Sequence, residues 1–131
     1  MPADKKIEIA VELAGEPVVA DVDKIRLSQV LANPIKNSIR FIDDDRGRIT
    51  IAVKKNGRHA TISVVDDGRG IDPEIMPRLF QKFASSSALG GTGLGLYISR
   101  AIVEVHEGRI WAKNNEGRGA TFAFTLPLAC D

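Results

Sequence analysis

The sequence predicts an α+β fold, a two-layer α/β sandwich in which a mixed, mostly antiparallel sheet packs on about three helices. Three observations lead there. Apolar residues alternate with polar ones in segments near the start, the middle and the end of the chain, the period of a half-buried strand. Two longer segments carry apolar residues at helical spacing. Some connections are hairpin turns, so the sheet cannot be wholly parallel.

The first strand is Ile7, Ile9, Val11 and Leu13, alternating with Glu8, Ala10 and Glu12. Gly15-Glu16-Pro17 turns the chain, and Val18-Val19-Ala20 reads as a short second strand. Asp21 or Asp23 can cap a helix that runs to about Ile42, with Leu27, Val30, Leu31, Ile35, Ile39 and Ile42 on its apolar stripe. Pro34 sits inside that stripe and cannot donate to the Val30 carbonyl, which predicts a kink. After the polar break 43–47, Ile49, Ile51 and Val53 form a strand, Asn56-Gly57 a hairpin turn, and Ala60, Ile62 and Val64 the return strand.

A tight loop at Asp66–Gly70 leads to a short helix from about Pro73 to Phe80. Residues 84–92 are small, polar and glycine-ended and read as a mobile lid. A helix runs from Gly93 to His106 and ends at Gly108. Arg109–Lys113 and Thr121–Leu126 close the sheet around the turn Asn114–Gly119.

A chain of 131 residues with 44% hydrophobic and 27% charged residues reads as one globular domain, 1–131, able to build its own core. Its formal charge of +1 gives no support for nucleic acid or an acidic membrane as partner. The single cysteine, Cys130, excludes an internal disulfide and fits a reducing compartment. No apolar run approaches a membrane span, and no signal-peptide core follows the first residues.

Three segments carry chemistry. Asn33 and Asn37, in Asn33-Pro34-Ile35-Lys36-Asn37, share one helix face. A carboxamide oxygen is a neutral hard ligand suited to Mg²⁺, which draws its other oxygens from water and phosphates. Arg40 lies within reach of a phosphate. Taken alone, the pair also suits a plain solvated face. Asp66, in Asp66-Asp67-Gly68-Arg69-Gly70-Ile71, ends an apolar strand. Its carboxylate only accepts hydrogen bonds, which suits the exocyclic amino group of adenine, while Gly68 and Gly70 let backbone approach the base. An ordinary acidic turn has the same composition. In Gly90-Gly91-Thr92-Gly93-Leu94-Gly95-Leu96, backbone N–H groups can converge at a helix start and attract phosphate; a flexible hinge is the plainer meaning. The spacing is neither the dinucleotide fingerprint nor a P-loop. Lys82, between Phe80 and Phe83, is a candidate phosphate partner or simply an exposed lysine. His59 and His106 have no catalytic companions in sequence and read as structural.

In this order the segments resemble the catalytic ATP-binding domain of two-component sensor histidine kinases, in the GHKL ATPase superfamily shared with DNA gyrase, the ninety-kilodalton heat-shock chaperone and mismatch-repair ATPases. Residues 29–41 resemble the N box, 65–71 the first glycine box, Leu79–Phe83 the F box and Gly91–Leu96 the second glycine box. The tail from Ala101 to Gly108, with Gly117-Arg118-Gly119-Ala120-Thr121-Phe122 and Leu126-Pro127, is also similar.

The resemblance implies that ATP and Mg²⁺ are the ligands. It assigns Asn37 to the metal with Asn33 beside it, and Arg40 and Lys82 to phosphates. Asn33, Asn37 and Lys82 become the catalytic set. Phe41 goes to the nucleotide wall and Asp66 to adenine, with Gly68, Gly70 and Ile71 around the base and Thr121 assisting through water. The backbone of Thr92, Gly93, Leu94, Gly95 and Leu96 holds phosphates. The implied activity is transfer of the γ-phosphate to a histidine on a separate helical dimerisation domain, absent from this chain, and then indirectly to a response regulator. The implied setting is cytoplasmic, with a parent kinase that can itself be membrane-anchored. Pro34, Ser38 and Ser85 depart from the family pattern. An ATP-hydrolysing clamp, a non-catalytic nucleotide module and an anti-sigma type serine kinase remain the alternatives. A hydrolase places a glutamate where Asn33 stands.

Overall fold

The computed structural model describes residues 6–15, 17–42, 46–82 and 94–129. Strand β1 (Lys6–Glu12) precedes helix α1 (Lys24–Phe41), followed by β2 (Arg46–Asn56) and β3 (His59–Asp66). A 3₁₀ turn (Met76–Arg78), helix α2 (Gly95–Val105), β4 (Ile110–Asn114) and β5 (Ala120–Pro127) complete the order. The strands form one five-stranded sheet in the order β1-β2-β3-β5-β4. Only β1 and β2 run parallel, because α1 carries the chain back between them. The β2–β3, β3–β5 and β4–β5 pairs are antiparallel. The expected mixed two-layer sandwich is therefore found, with two α-helices among the described residues.

Alternation decides which face is buried. Ala60, Ile62, Val64 and Asp66 point to one side of β3, and Ala120, Phe122, Phe124 and Leu126 to the same side of β5. The apolar faces of α1 and α2 cover them. One cluster gathers Phe41, Ile42, Ile49, Val64, Ile71, Leu79, Leu96 and Phe122; the other gathers Val30, Ala60, Ile62, Val103, Phe124 and Leu126. Asp66 thus lies on the core face, beside the first cluster.

Helix α1 starts as expected. Asp23 accepts from the N–H groups of Ile25 (2.9 Å) and Arg26 (3.4 Å). The helix continues through Pro34 as one element, and the structure shows why it can. The Val30 carbonyl that Pro34 leaves without its helical donor accepts instead from the Ser99 hydroxyl of α2, at 3.3 Å. Helix α2 ends in a Schellman motif: Gly108 N–H donates to Val103 (2.9 Å) and Glu107 N–H to Glu104 (3.0 Å). The left-handed residue there is Glu107, at φ 62°, rather than Gly108.

Two expected elements are smaller than the sequence suggested. Val18–Ala20 makes a single bridge, Ala20 to Leu128, and no second strand. The helix expected over Pro73–Phe80 is a 3₁₀ turn, Met76–Arg78. Pro77 has no N–H for an α-helical bond to Pro73, and Asp72 draws the neighbouring amides of Glu74, Ile75 and Met76 to itself. Phe83, the segment 84–92 and Gly93 lie outside the described residues. No described helix is long and apolar enough to cross a membrane.

Candidate functional site

The acidic turn after β3 is built by close approach. Asp66 is 3% exposed, and its Oδ1 accepts from Gly68 N–H (2.8 Å) and Ala120 N–H (3.3 Å). Gly68 lies against the end of α1, where a Cβ would stand 2.5 Å from the Phe41 carbonyl oxygen. Arg69 N–H donates to that same oxygen at 2.9 Å. On the opposite side Gly119, at φ +95°, packs on the Asp66 carbonyl so closely that a Cβ would come within 1.9 Å of its oxygen. Only glycine fits either position.

Two asparagines of the β4–β5 connection clamp the turn, and the sequence reading missed both. Asn114 accepts from Ile71 N–H (2.7 Å) and donates to the Ile71 carbonyl (3.0 Å). Asn115 donates to the Asp66 carbonyl (3.3 Å) and accepts from the Thr121 hydroxyl (2.6 Å). In sequence they look like ordinary turn residues, which is what hid them.

Burial pushes the Asp66 pKa above its ordinary 3.8, against the pull of the Gly68 N–H, the Ser38 hydroxyl and the Ala120 N–H; the neighbouring Asp67 charge adds to the rise. The Ser38 hydroxyl is close enough to Asp66 to act on it. Yet neither Ser38 Oγ nor Asp66 Oδ2 has a hydrogen-bond partner among the described residues.

The asparagine pair sits where α1 meets the start of α2. Asn33 Nδ2 donates to the Gly95 carbonyl (2.8 Å) and to Ser99 Oγ (3.1 Å). Asn33 therefore joins the N box to the glycine-rich helix start. Asn37 Nδ2 donates to the Asn33 carbonyl at 2.9 Å. That turns the nitrogen end of its amide toward the helix, and the end suited to a cation is the oxygen. Among the described residues no three His, Cys, Asp or Glu side chains gather as a metal cluster.

Lys82 Nζ lies 5.2 Å from the centre of the Tyr97 ring, and Arg100 Cζ lies 5.8 Å from it. This brings Lys82 to the first turn of α2, at Tyr97. Arg40 is exposed on the last turn of α1. Phe41 is buried in the core and stacks on Phe122, with ring centres 6.4 Å apart. Leu96 is also buried in that core, and only its backbone N–H can serve a ligand. Gly70, at φ +88°, and Ile71 flank the acidic turn. Thr92 lies outside the described residues.

Thr121 is not brought to Asp66. It pairs with Val65, one residue before Asp66, and so occupies the opposite face of the sheet. Its hydroxyl is committed to Asn115.

A family model described as the histidine kinase-, DNA gyrase B- and HSP90-like ATPase matches residues 22–129. The chain belongs to that family. This ATPase domain is 37% identical over 121 residues to the phytochrome-like protein Cph1 of Synechocystis, covering 90% of this chain and 16% of that protein. It is 34% identical over 134 residues to the sensor histidine kinase WalK of Bacillus subtilis, covering 97% of this chain and 22% of that protein. The chain thus spans about a fifth or less of these relatives' length. Among solved structures it resembles the catalytic domain of histidine kinase ThkA, with TM-score 0.81 and 31% identity, over 92% of this chain and 78% of that one. It also resembles full-length ShkA in complex with AMPPNP, with TM-score 0.84 and 29% identity, over 97% of this chain and 27% of that one. The ATPase domain is accordingly of the sensor-histidine-kinase type.

Proposed function

We propose that this domain binds Mg–ATP and donates the γ-phosphate to a histidine on a separate helical domain, from which a response regulator is served in two-component signalling in the cytoplasm. The observation that carries the reading is the buried Asp66. Its Oδ1 is held by two backbone N–H groups, while its Oδ2 and the neighbouring Ser38 Oγ have no partner among the described residues. A buried acceptor beside a buried hydroxyl fits the donor and acceptor edge of a base.

In this reading Asp66 accepts from the adenine amino group, and Gly68, Gly70 and Ile71 border the base. Asn37 offers its carboxamide oxygen to Mg²⁺. The cation, when bound, neutralises phosphate charge. Arg40, Lys82 and the first-turn amides of α2 face the phosphates, where the helix dipole favours negative charge. Phosphoryl transfer needs little covalent help, so these residues act by positioning and charge balance. The γ-phosphorus exchanges its bond to the ADP oxygen for one to an imidazole nitrogen, and ADP leaves.

Transfer is favoured over hydrolysis by Asn33. An amide cannot take a proton from water, and its nitrogen donates to the Gly95 carbonyl and Ser99 Oγ of α2. His59 and His106 do not suit the acceptor role. His59 opens β3 beside a hairpin turn, and His106 caps α2 with Nδ1 2.8 Å from the Ile102 carbonyl. Titration with ATP, ADP and GTP, with and without Mg²⁺, tests the reading. Tighter binding of ATP than GTP supports it, and equal affinity for the two overturns the Asp66 assignment.

A further inference from the structure

We infer that Ser99 is a positioning residue for the phosphate end of the nucleotide site: through Asn33 it clamps the start of α2 to α1. This rests on the nucleotide reading above and adds to it a residue that itself touches no ligand.

The clamp has two members on each helix. Asn33 Nδ2 donates to the Gly95 carbonyl at 2.8 Å and to Ser99 Oγ at 3.1 Å. Ser99 Oγ in turn donates to the Val30 carbonyl at 3.3 Å. Val30 and Asn33 lie in one turn of α1, Gly95 and Ser99 in one turn of α2. A serine inside a helix ordinarily turns its hydroxyl to the carbonyl one turn back, which here is that of Gly95. Pro34 takes the helical donor away from Val30 and so offers Ser99 an acceptor across the interface. The hydroxyl proton is then committed to α1, and the oxygen is left to accept from Asn33. Ser99 and Pro34 are both fully buried, so bulk water does not compete for these bonds.

The clamp acts on the residue that opens α2. Both N–H groups of the Asn33 amide are engaged, which fixes its nitrogen end against that helix. The approach is close: a Cβ on Gly95 would stand 3.0 Å from Asn33 Oδ1. Helical bonding in α2 begins with Ile98 N–H and the Leu94 carbonyl, at 2.9 Å. The N–H groups of Gly95, Leu96 and Tyr97 are therefore the first-turn donors that the helix itself does not use. Leu94, at the cap position, makes no side-chain bond to them. Ser99 thus sets where the phosphate-facing amides stand relative to Asn33 and Asn37.

The test uses the full chain with Mg²⁺ and two ligands, ATP and adenosine, which lacks the phosphates. Affinities are read by displacement of a fluorescent nucleotide, at a temperature where every variant is folded. Ser99→Ala should bind ATP about 3- to 10-fold more weakly, the range of one neutral hydrogen bond, and adenosine as wild type does. The double variant Ser99→Ala, Pro34→Ala separates positioning from folding. An alanine at 34 returns a helical donor to Val30, so the melting temperature should recover. The alanine at 99 still accepts nothing from Asn33, so the loss on ATP should persist. If the double variant regains wild-type ATP affinity, or if adenosine weakens by the same factor as ATP, Ser99 is a core cross-link only. That result overturns the inference while the nucleotide reading stands. Failure of the wild type to bind ATP at all is a separate result, and it overturns that reading together with this inference.

Discussion

Asp66→Asn separates what the carboxylate does for the fold from what it does for the ligand. Oδ1 keeps its two donors, Gly68 N–H at 2.8 Å and Ala120 N–H at 3.3 Å, because an amide oxygen accepts as a carboxylate oxygen does. The change is confined to the other end, where an acceptor becomes an NH₂ donor aimed at Ser38 Oγ and the base. On ATP this removes a hydrogen bond to a charged group, about 1.5–3 kcal/mol, or roughly 10- to 150-fold in affinity. Guanine presents a carbonyl where adenine has its amino group, so GTP should lose much less and the preference should narrow.

The free protein should respond in the opposite sense. The Asp66 pKa is raised by burial, so its contribution to stability is fully present below the unfolded value near 3.8 and is lost as pH rises through the folded pKa. At neutral pH the buried charge opposes folding, and the asparagine removes it. Melting curves across pH should show the variant gaining on wild type as pH rises above 3.8 and levelling off beyond the folded pKa. Fluorescent-nucleotide displacement gives the affinities. A variant that melts well below wild type at neutral pH, or one that binds ATP undiminished, refutes the reasoning.

Ser99→Ala should destabilise the protein by about 1–3 kcal/mol in urea unfolding, since it leaves the Val30 carbonyl without a donor, and Pro34→Ala should recover most of the loss by restoring the helical donor. Asn37→Ala should weaken Mg–ATP binding more than metal-free ATP binding in paired titrations; equal losses make Asn37 structural. Asn114→Ala, which frees the Ile71 backbone from both its clamping bonds, should cost roughly 1–3 kcal/mol of stability in urea unfolding and weaken ATP as well. Incubated with γ-labelled ATP and Mg²⁺, the chain alone should release no phosphate and label neither His59 nor His106, while a cognate histidine-bearing helical dimer supplied in trans should become labelled.

Local patterns made much of this legible. Asp23 as a cap, the Asn56-Gly57 hairpin and the alternation of β2, β3 and β5 are rules of short range, and the structure follows them. Box order also placed Asn33, Asn37 and Asp66 on the elements that carry them. What escaped was pairing across distance. Nothing in the sequence near Pro34 announces that a serine 65 positions later serves the Val30 carbonyl, or that Asn114 holds Ile71. The short helix failed because Pro77 withholds one donor in a segment too brief to spare it. The placement of Thr121, by contrast, was open to a short-range rule. Phe122, Phe124 and Leu126 fix the inward set of β5, so the period of two already put Thr121 on the outer face.

The clamp on the acidic turn bears on how the protein is born. Asp66 is positioned by groups from Asn115, Gly119 and Ala120, which leave a ribosome some fifty residues after it. Every box that announces the ligand is by then already translated. A nascent chain stopped short of Asn114 therefore carries all four boxes yet lacks both the braces and the central strand β5 between β3 and β4. The acidic turn can be braced only after β5 has docked, so on the proposed reading nucleotide cannot template the early steps of folding, and ligand capture marks a fully folded domain.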